Sequence, residues 1–132
     1  MSAVASTMWT TLAVGVGGSV GAICRYWLGH YFTHQIGVGV YGTGAANLLG
    51  SFFFGLLWSL TEHSPIGAVL RLLLLSGFAG AFTTFSTLMF ETLGLVQQDR
   101  WSFALANVVI QTCLGVALVL LGLRIGQGVG GP

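Results

Sequence analysis

The sequence predicts an all-α membrane protein: four transmembrane helices, the third of them broken. Three observations carry that prediction. The chain of 132 residues is 55% hydrophobic and 5% charged, against roughly 25% charged in soluble domains, and its mean hydropathy is +0.89. Its apolar residues fall into four runs, over about 8–29, 41–60, 66–96 and 101–123, each close to or beyond the ~20 residues a helix needs to cross the hydrocarbon. The third run alone mixes glycines, hydroxyls and a carboxylate into its apolar stretch, between Gly77 and Glu91. The length allows one domain over 1–132, ending in a glycine-rich tail at 125–132 that is expected to be flexible.

Charge removes several function classes. The net charge is +1, with four arginines and no lysine, which leaves no basic patch for nucleic acid or anionic lipid. Cys24 and Cys113 both fall in apolar runs and read as small buried hydrophobes, with a disulfide left open by the sequence. The N-terminus lacks the basic region and cleavage pattern of a signal peptide, so the first apolar run is expected to be retained. Gly17-Gly18-Ser19-Val20-Gly21 matches a nucleophile elbow in letters, and Gly37 to Gly42 a dinucleotide fingerprint. Neither has the strand-turn-helix setting its chemistry requires, and the enzyme class is set aside with them.

The first span is thinned by Gly17, Gly18, Gly21 and Ala22, whose four-residue spacing lets another helix come close. Arg25 follows one turn later, where a charge needs an oxygen partner or a route to the interface. Residues 30–40 read as the first loop, with His30 and His34 solvated and without metal-ligand company. In the second span Thr43, Asn47 and Ser51 recur every four residues and share one face. A mid-span asparagine is expensive unless its amide and carbonyl both find partners; interhelical bonding is the alternative to an ion-facing role. Glu62 to Pro65 form a short second loop, and proline suits the first turn of the next helix.

The third span is longer than a straight crossing requires, which fits a break. Gly77 and Gly80, followed by Thr83 and Thr84, weaken the helix, since glycine loses the most backbone entropy and threonine competes for its own backbone. In a bilayer a break is tolerated only where the freed groups face protein, an ion or a hydrated cavity. Thr83, Ser86, Thr87 and Glu91 are spaced as a polar stripe, with Phe78, Phe82, Phe85 and Met89 as an aromatic and thioether stripe. Any one of these hydroxyls could be ordinary helix-to-helix glue; the cluster points to an ion site. Arg71 is placed to reach the interface, Trp101 to anchor there, and the fourth span brings Asn107 as an interhelical bond, with Gln111 and Thr112 left open.

Arg25 and Arg100 fall on one side of the four spans and Arg71 and Arg124 on the other. The positive-inside bias is therefore close to zero, and the chain can insert both ways. That makes an antiparallel dimer possible by the logic of inverted-repeat transporters. Four thin spans do not easily enclose a hydrated path, so at least a homodimer is expected, with the polar stripes near the contact.

Three motifs together resemble the Fluc/CrcB family of fluoride channels. They are Gly17-Gly18-Ser19-Val20-Gly21-Ala22-Ile23-Cys24-Arg25-Tyr26, Gly42-Thr43-Gly44-Ala45-Ala46-Asn47-Leu48-Leu49-Gly50-Ser51-Phe52, and Gly77-Phe78-Ala79-Gly80-Ala81-Phe82-Thr83-Thr84-Phe85-Ser86-Thr87. The resemblance implies an antiparallel dual-topology homodimer with two fluoride pores, a multi-pass protein of the bacterial inner (plasma) membrane whose partners are the fluoride ion, membrane lipid and a second copy. It also implies a structural sodium ion, Na+, at the dimer centre, on the main-chain carbonyls of Gly80 and Thr83. Family pore residues carry onto Asn47 and Phe85, with Thr43 as a vestibule hydroxyl and Ser86, Thr87 and Thr112 on the polar track. Leu88 stands where members often have a second phenylalanine, and Val116 where another hydroxyl is common.

The residue types suit the ion. Even a carboxylate-sized ion costs on the order of 20 kcal/mol to move into low dielectric by the idealised Born estimate, so fluoride's water must be replaced by donors. Amide hydrogens of Asn47, rotatable hydroxyls and the weakly positive edge of Phe85 are such donors. With no lysine to trap the anion, several moderate sites allow exit as well as entry. Glu91 is expected to be paired, with Arg25 for example, or to accept hydroxyl bonds and so turn their hydrogens. Two rivals stand beside this reading: a small dual-topology proton-coupled multidrug exporter, which typically needs a carboxylate deep in its first helix where this chain has none, and a non-transporting membrane subunit.

Overall fold

The structure is a computed structural model and describes residues 3–37, 39–62 and 67–130. Among these residues every regular element is helical. The first helix runs Ala3–Ile36, the second Gly39–Glu62, and the fourth Trp101–Gly130. The third span, Ala68–Gln97, is composite. It starts as an α-helix at Ala68–Leu72, widens into a π-helical stretch at Leu73–Ala79, and closes with one α turn at Gly80–Phe82. After an extended Thr83 and Thr84 it resumes at Phe85–Gln97. All four spans are long and apolar enough to cross a membrane. The expected second-loop residues His63, Ser64 and Pro65 lie outside the described residues.

Two boundaries differ from expectation. The first helix does not end near Gly29 but continues to Ile36, because residues 30–36 hold no glycine or proline to stop it. Reversal waits for Gly37, whose φ of +74° is costly for any residue with a Cβ. His30 and His34 thus lie on helix, not in a loop. At the other end the supposed flexible tail is helical through Gly130. Packing explains it: a Cβ on Gly126 would stand 2.6 Å from the Cβ of Ser59, so the fourth helix is still pressed against the second there. The two cysteines are free and exposed on the single chain rather than buried.

Glycines set the approach of the helices. A Cβ on Gly17 or Gly21 would collide with the carbonyl oxygen of Leu73 or Phe78, and one on Gly77 would come 2.9 Å from the Val14 carbonyl oxygen. The first helix therefore lies backbone to backbone on the π-helical stretch, as the small-residue spacing predicts. Second and fourth helices meet in the same way, with Gly55 against Val119 and Gly122 against Phe52. Large apolar side chains cover the outside, with Phe85 74% and Phe90 77% exposed on the single chain. Arg71 turns its guanidinium over the Trp58 ring at 4.4 Å, a cation–π contact.

Gly21→Ala should lower thermal stability in detergent by about 1–3 kcal/mol, because its methyl group meets backbone that cannot yield. Gly15→Ala, which meets nothing within 4 Å and lies inside the first helix, should leave stability the same or slightly higher, since alanine is the better helix former. Equal melting of the two variants would contradict the packing described.

Candidate functional site

The break is closed by a side chain from another helix. Asn47, half-buried on the second helix, accepts the Thr84 backbone N–H on Oδ1 at 2.7 Å. Its Nδ2 donates back to the Thr84 carbonyl at 3.2 Å and to Gln111 Oε1 at 2.7 Å. The amide of Asn47 thus does for Thr84 what a neighbouring strand would, pairing N–H and C=O together. Thr84 also caps the resumed helix, its Oγ1 accepting the Thr87 N–H at 3.2 Å. Arg25 seals the other side of the break, donating Nε to the Ala81 carbonyl at 3.1 Å.

From Asn47 the bonding runs on through the fourth helix. Gln111 is buried and donates Nε2 to Asn107 Oδ1 at 2.8 Å; Asn107 in turn donates to Thr92 Oγ1 at 3.0 Å, and Thr92 donates to the Leu88 carbonyl at 2.7 Å. Asn107 is the interhelical bond the sequence suggests. Gln111 was not among the expected site residues, yet it links Asn107 to Asn47. Its one sequence signal is the four-residue spacing from Asn107.

The acid is held separately. Thr43 is buried and donates its hydroxyl to Glu91 Oε1 at 2.6 Å, while Glu91 Oε2 is buried with no hydrogen-bond partner among the described residues. The pairing of Arg25 with Glu91 is not formed, because Arg25 is drawn to the carbonyl that the broken helix leaves open; Glu91 instead takes the hydroxyl bond. Thr83 departs from the expected stripe too. It precedes the resumed helix, with φ −85° and ψ 157°, and its hydroxyl donates back to Ala79 at 3.2 Å. The stripe of the second half is Ser86, Thr87 and Glu91, and the aromatic stripe is likewise divided: Phe78 and Phe82 stack at 5.7 Å before the break, while Phe85 begins the helix after it.

Three cavities adjoin this network. One of about 330 Å³ is lined by Asn47, Ser51, Thr84, Phe85, Gln111 and Thr112 among others. A second, about 380 Å³, is lined by Gln111, Asn107 and Arg100 among others. The third, about 330 Å³, brings Arg25, His30, Thr43, Thr84 and Thr87 together. Gln111 therefore borders the first two, and Thr84 the first and third. Ser51 turns its hydroxyl to its own helix, at the Asn47 carbonyl 2.7 Å away. Ser86 Oγ stands 3.2 Å from Thr84 Oγ1, and Thr112 and Phe85 face out of the single chain.

A sequence profile described as CrcB-like protein, camphor resistance (CrcB), matches residues 12–123. The chain belongs to the CrcB family. Among its CrcB relatives, a protein of Solidesulfovibrio magneticus is 40% identical over 116 residues, covering 86% of this chain and 93% of its own length. One from Magnetococcus marinus is 42% identical over 123 residues, 86% of this chain and 94% of that protein. A third, from Nitrosococcus oceani, is 37% identical over 123 residues, with 91% and 98% covered. All three relatives carry the name fluoride-specific ion channel FluC. In this CrcB chain the matched region holds every residue of the break and its braces.

Asn47→Leu should destabilise the fold by about 1–3 kcal/mol for each buried group left unpaired, because Thr84 N–H and Gln111 Oε1 both lose their partner. Unfolding in mixed micelles measures this; wild-type stability would show that the amide pairing does not hold the break.

Proposed function

We propose that this chain is a fluoride channel, a multi-pass and non-enzymatic protein of the bacterial inner membrane that lets fluoride leave the cell passively. The observation that carries the reading is the cavity bounded by Asn47, Thr84, Phe85, Gln111 and Thr112, whose polar groups are neutral, in a chain whose relatives at about 40% identity are named fluoride-specific. Neutral donors suit an anion that must shed water without being trapped.

The hydrogen bonds refine which groups would touch the ion. Both amide hydrogens of Asn47 are engaged, by Thr84 and Gln111. Asn47 therefore acts first as a brace and an electrostatic neighbour of the path. Gln111 spends one of its two Nε2 hydrogens on Asn107, and a primary amide has a second to give. That hydrogen, the hydroxyls of Ser86, Thr87 and Thr112, and the ring edge of Phe85 make the donor set. Thr43, expected as a vestibule hydroxyl, spends its one hydrogen on Glu91 and offers the path only acceptor lone pairs.

In this reading two copies insert in opposite directions and form an antiparallel homodimer within the lipid, each contributing to two pores. The outward-facing Phe85 and Thr112 support it, since a path lined by them is completed only by a second surface. A structural sodium ion fits the break. Gly80 is exposed, Thr83 leaves the helical ladder, and the end of a helix carries partial negative charge on its last carbonyls. Among the described residues no cluster of three or more His, Cys, Asp or Glu could hold a metal, so a cation here would rest on main-chain oxygens. The carbonyls of Gly80 and Thr83, doubled by the partner, are neutral hard donors suited to it, and the ion would supply a fixed positive charge between the two broken helices.

Reconstitution tests the reading. Liposomes carrying the protein should release fluoride passively; proton-dependent movement of organic cations would favour an exporter, and liposomes as tight as empty ones would remove the channel. Asn47→Asp should abolish efflux, because a carboxylate sets acceptor against the Thr84 carbonyl and Gln111 Oε1 and puts a like charge by the path. Wild-type rates in that variant would take Asn47 out of the mechanism. Phe85→Ile should slow efflux sharply while the dimer, measured by light scattering, persists; loss of the dimer instead would assign Phe85 to packing.

A further inference from the structure

Near the C-terminal end of the first helix two imidazoles stand one turn apart. His30 and His34 are both exposed, and their ring centroids are 4.2 Å apart with the planes tilted by 53°. Sequence alone put them in a loop and gave them no metal company; the helix through Ile36 instead fixes them at i and i+4. That is the spacing by which a helix offers two histidines to one metal ion on a single face.

The surroundings favour a cation. The ring of His30 stacks on Tyr26, with centroids 6.1 Å apart and planes within 20°, and meets Trp27 edge-on at 5.6 Å, so its orientation is held by its neighbours. His34 lies in the last turn, where unpaired carbonyls and the helix dipole attract positive charge. The nearest cation on the helix, Arg25, has its guanidinium drawn to the Ala81 carbonyl. His30, though not His34, lines an open cavity of about 330 Å³ with Thr33 and Thr43, and both imidazoles are exposed, which leaves room for the water that would complete the coordination.

We propose that His30 and His34 chelate a divalent transition-metal ion, one per chain, through two imidazole nitrogens with water in the remaining positions. Imidazole suits Cu2+, Ni2+ and Zn2+, and a site without imposed geometry follows the general affinity order, with Cu2+ highest and Mn2+ lowest. His30 shares a cavity with Thr84 and Thr87, but metal binding by the two imidazoles does not rest on the fluoride reading.

Calorimetric titration of the full chain in detergent, free of any affinity tag, with CuCl2, NiCl2 or MnCl2 alone, tests it. One Cu2+ should bind per chain, more tightly than Ni2+, with Mn2+ weakest. Losing even a supporting partner of a ligand costs about tenfold or more in affinity, so His30→Ala and His34→Ala should each weaken Cu2+ binding at least that much. Both side chains are exposed, and unchanged circular dichroism will show that the variants remain folded. His63→Ala should bind as the wild type does. Undiminished binding in either of the first two variants, or no Cu2+ binding by the wild type, would overturn the proposal.

Discussion

A helix broken inside a bilayer must find partners for the backbone groups it frees, because no water is there to take them. Here one amide does most of that. Asn47 receives the Thr84 N–H and gives a hydrogen back to the Thr84 carbonyl, which fixes where the third span stops and where it starts again. The orientation of the Asn47 amide is set by the same pair of bonds, and through it the orientations of Gln111 and Asn107 follow. Thr84, once held extended, is free to cap the helix that carries Phe85, Ser86, Thr87 and Glu91. The candidate path thus depends on a structural hydrogen bond, and the two roles of Asn47 are not separable.

Close packing makes the pairing possible. A side chain at Gly50 would collide with the Thr83 methyl group, so the second helix approaches the break at a glycine one turn after Asn47. On the far side Gly17 and Gly21 bring the first helix against the π-helical stretch, which places Arg25 one turn on, beside the Ala81 carbonyl. π-Helical stretches are rare and concentrate at functional sites. This one widens the helix just where the first helix presses against it.

Much of this was legible in the residues, and what was not has physical reasons. The four spans, the break and the small-residue faces follow from composition and spacing, which are local properties of the chain. Thr83 and Thr84 are indistinguishable locally and both are extended; which of them is paired across the break depends on how far Asn47 reaches, 37 positions away. The partner of Arg25 is a carbonyl 56 positions on, and a main-chain acceptor leaves no mark in the side-chain pattern, so a carboxylate looked the better candidate. Gln111 stays open in the sequence because its two bonds, one to its own helix and one to Asn47, give it meaning only together. The length of the first and fourth helices was underestimated because a helix need not stop where the hydrocarbon does.

Hydrogen exchange at the Thr84 amide, in protein held in a lipid nanodisc, measures the claim on which the rest stands. If Asn47 bonds that amide as described, it exchanges as slowly as the interior amides of the helix that follows, although it lies outside any helical ladder. Exchange as fast as in an unstructured chain would mean that the broken backbone is not held by Asn47, and the role given to that residue would fall with it.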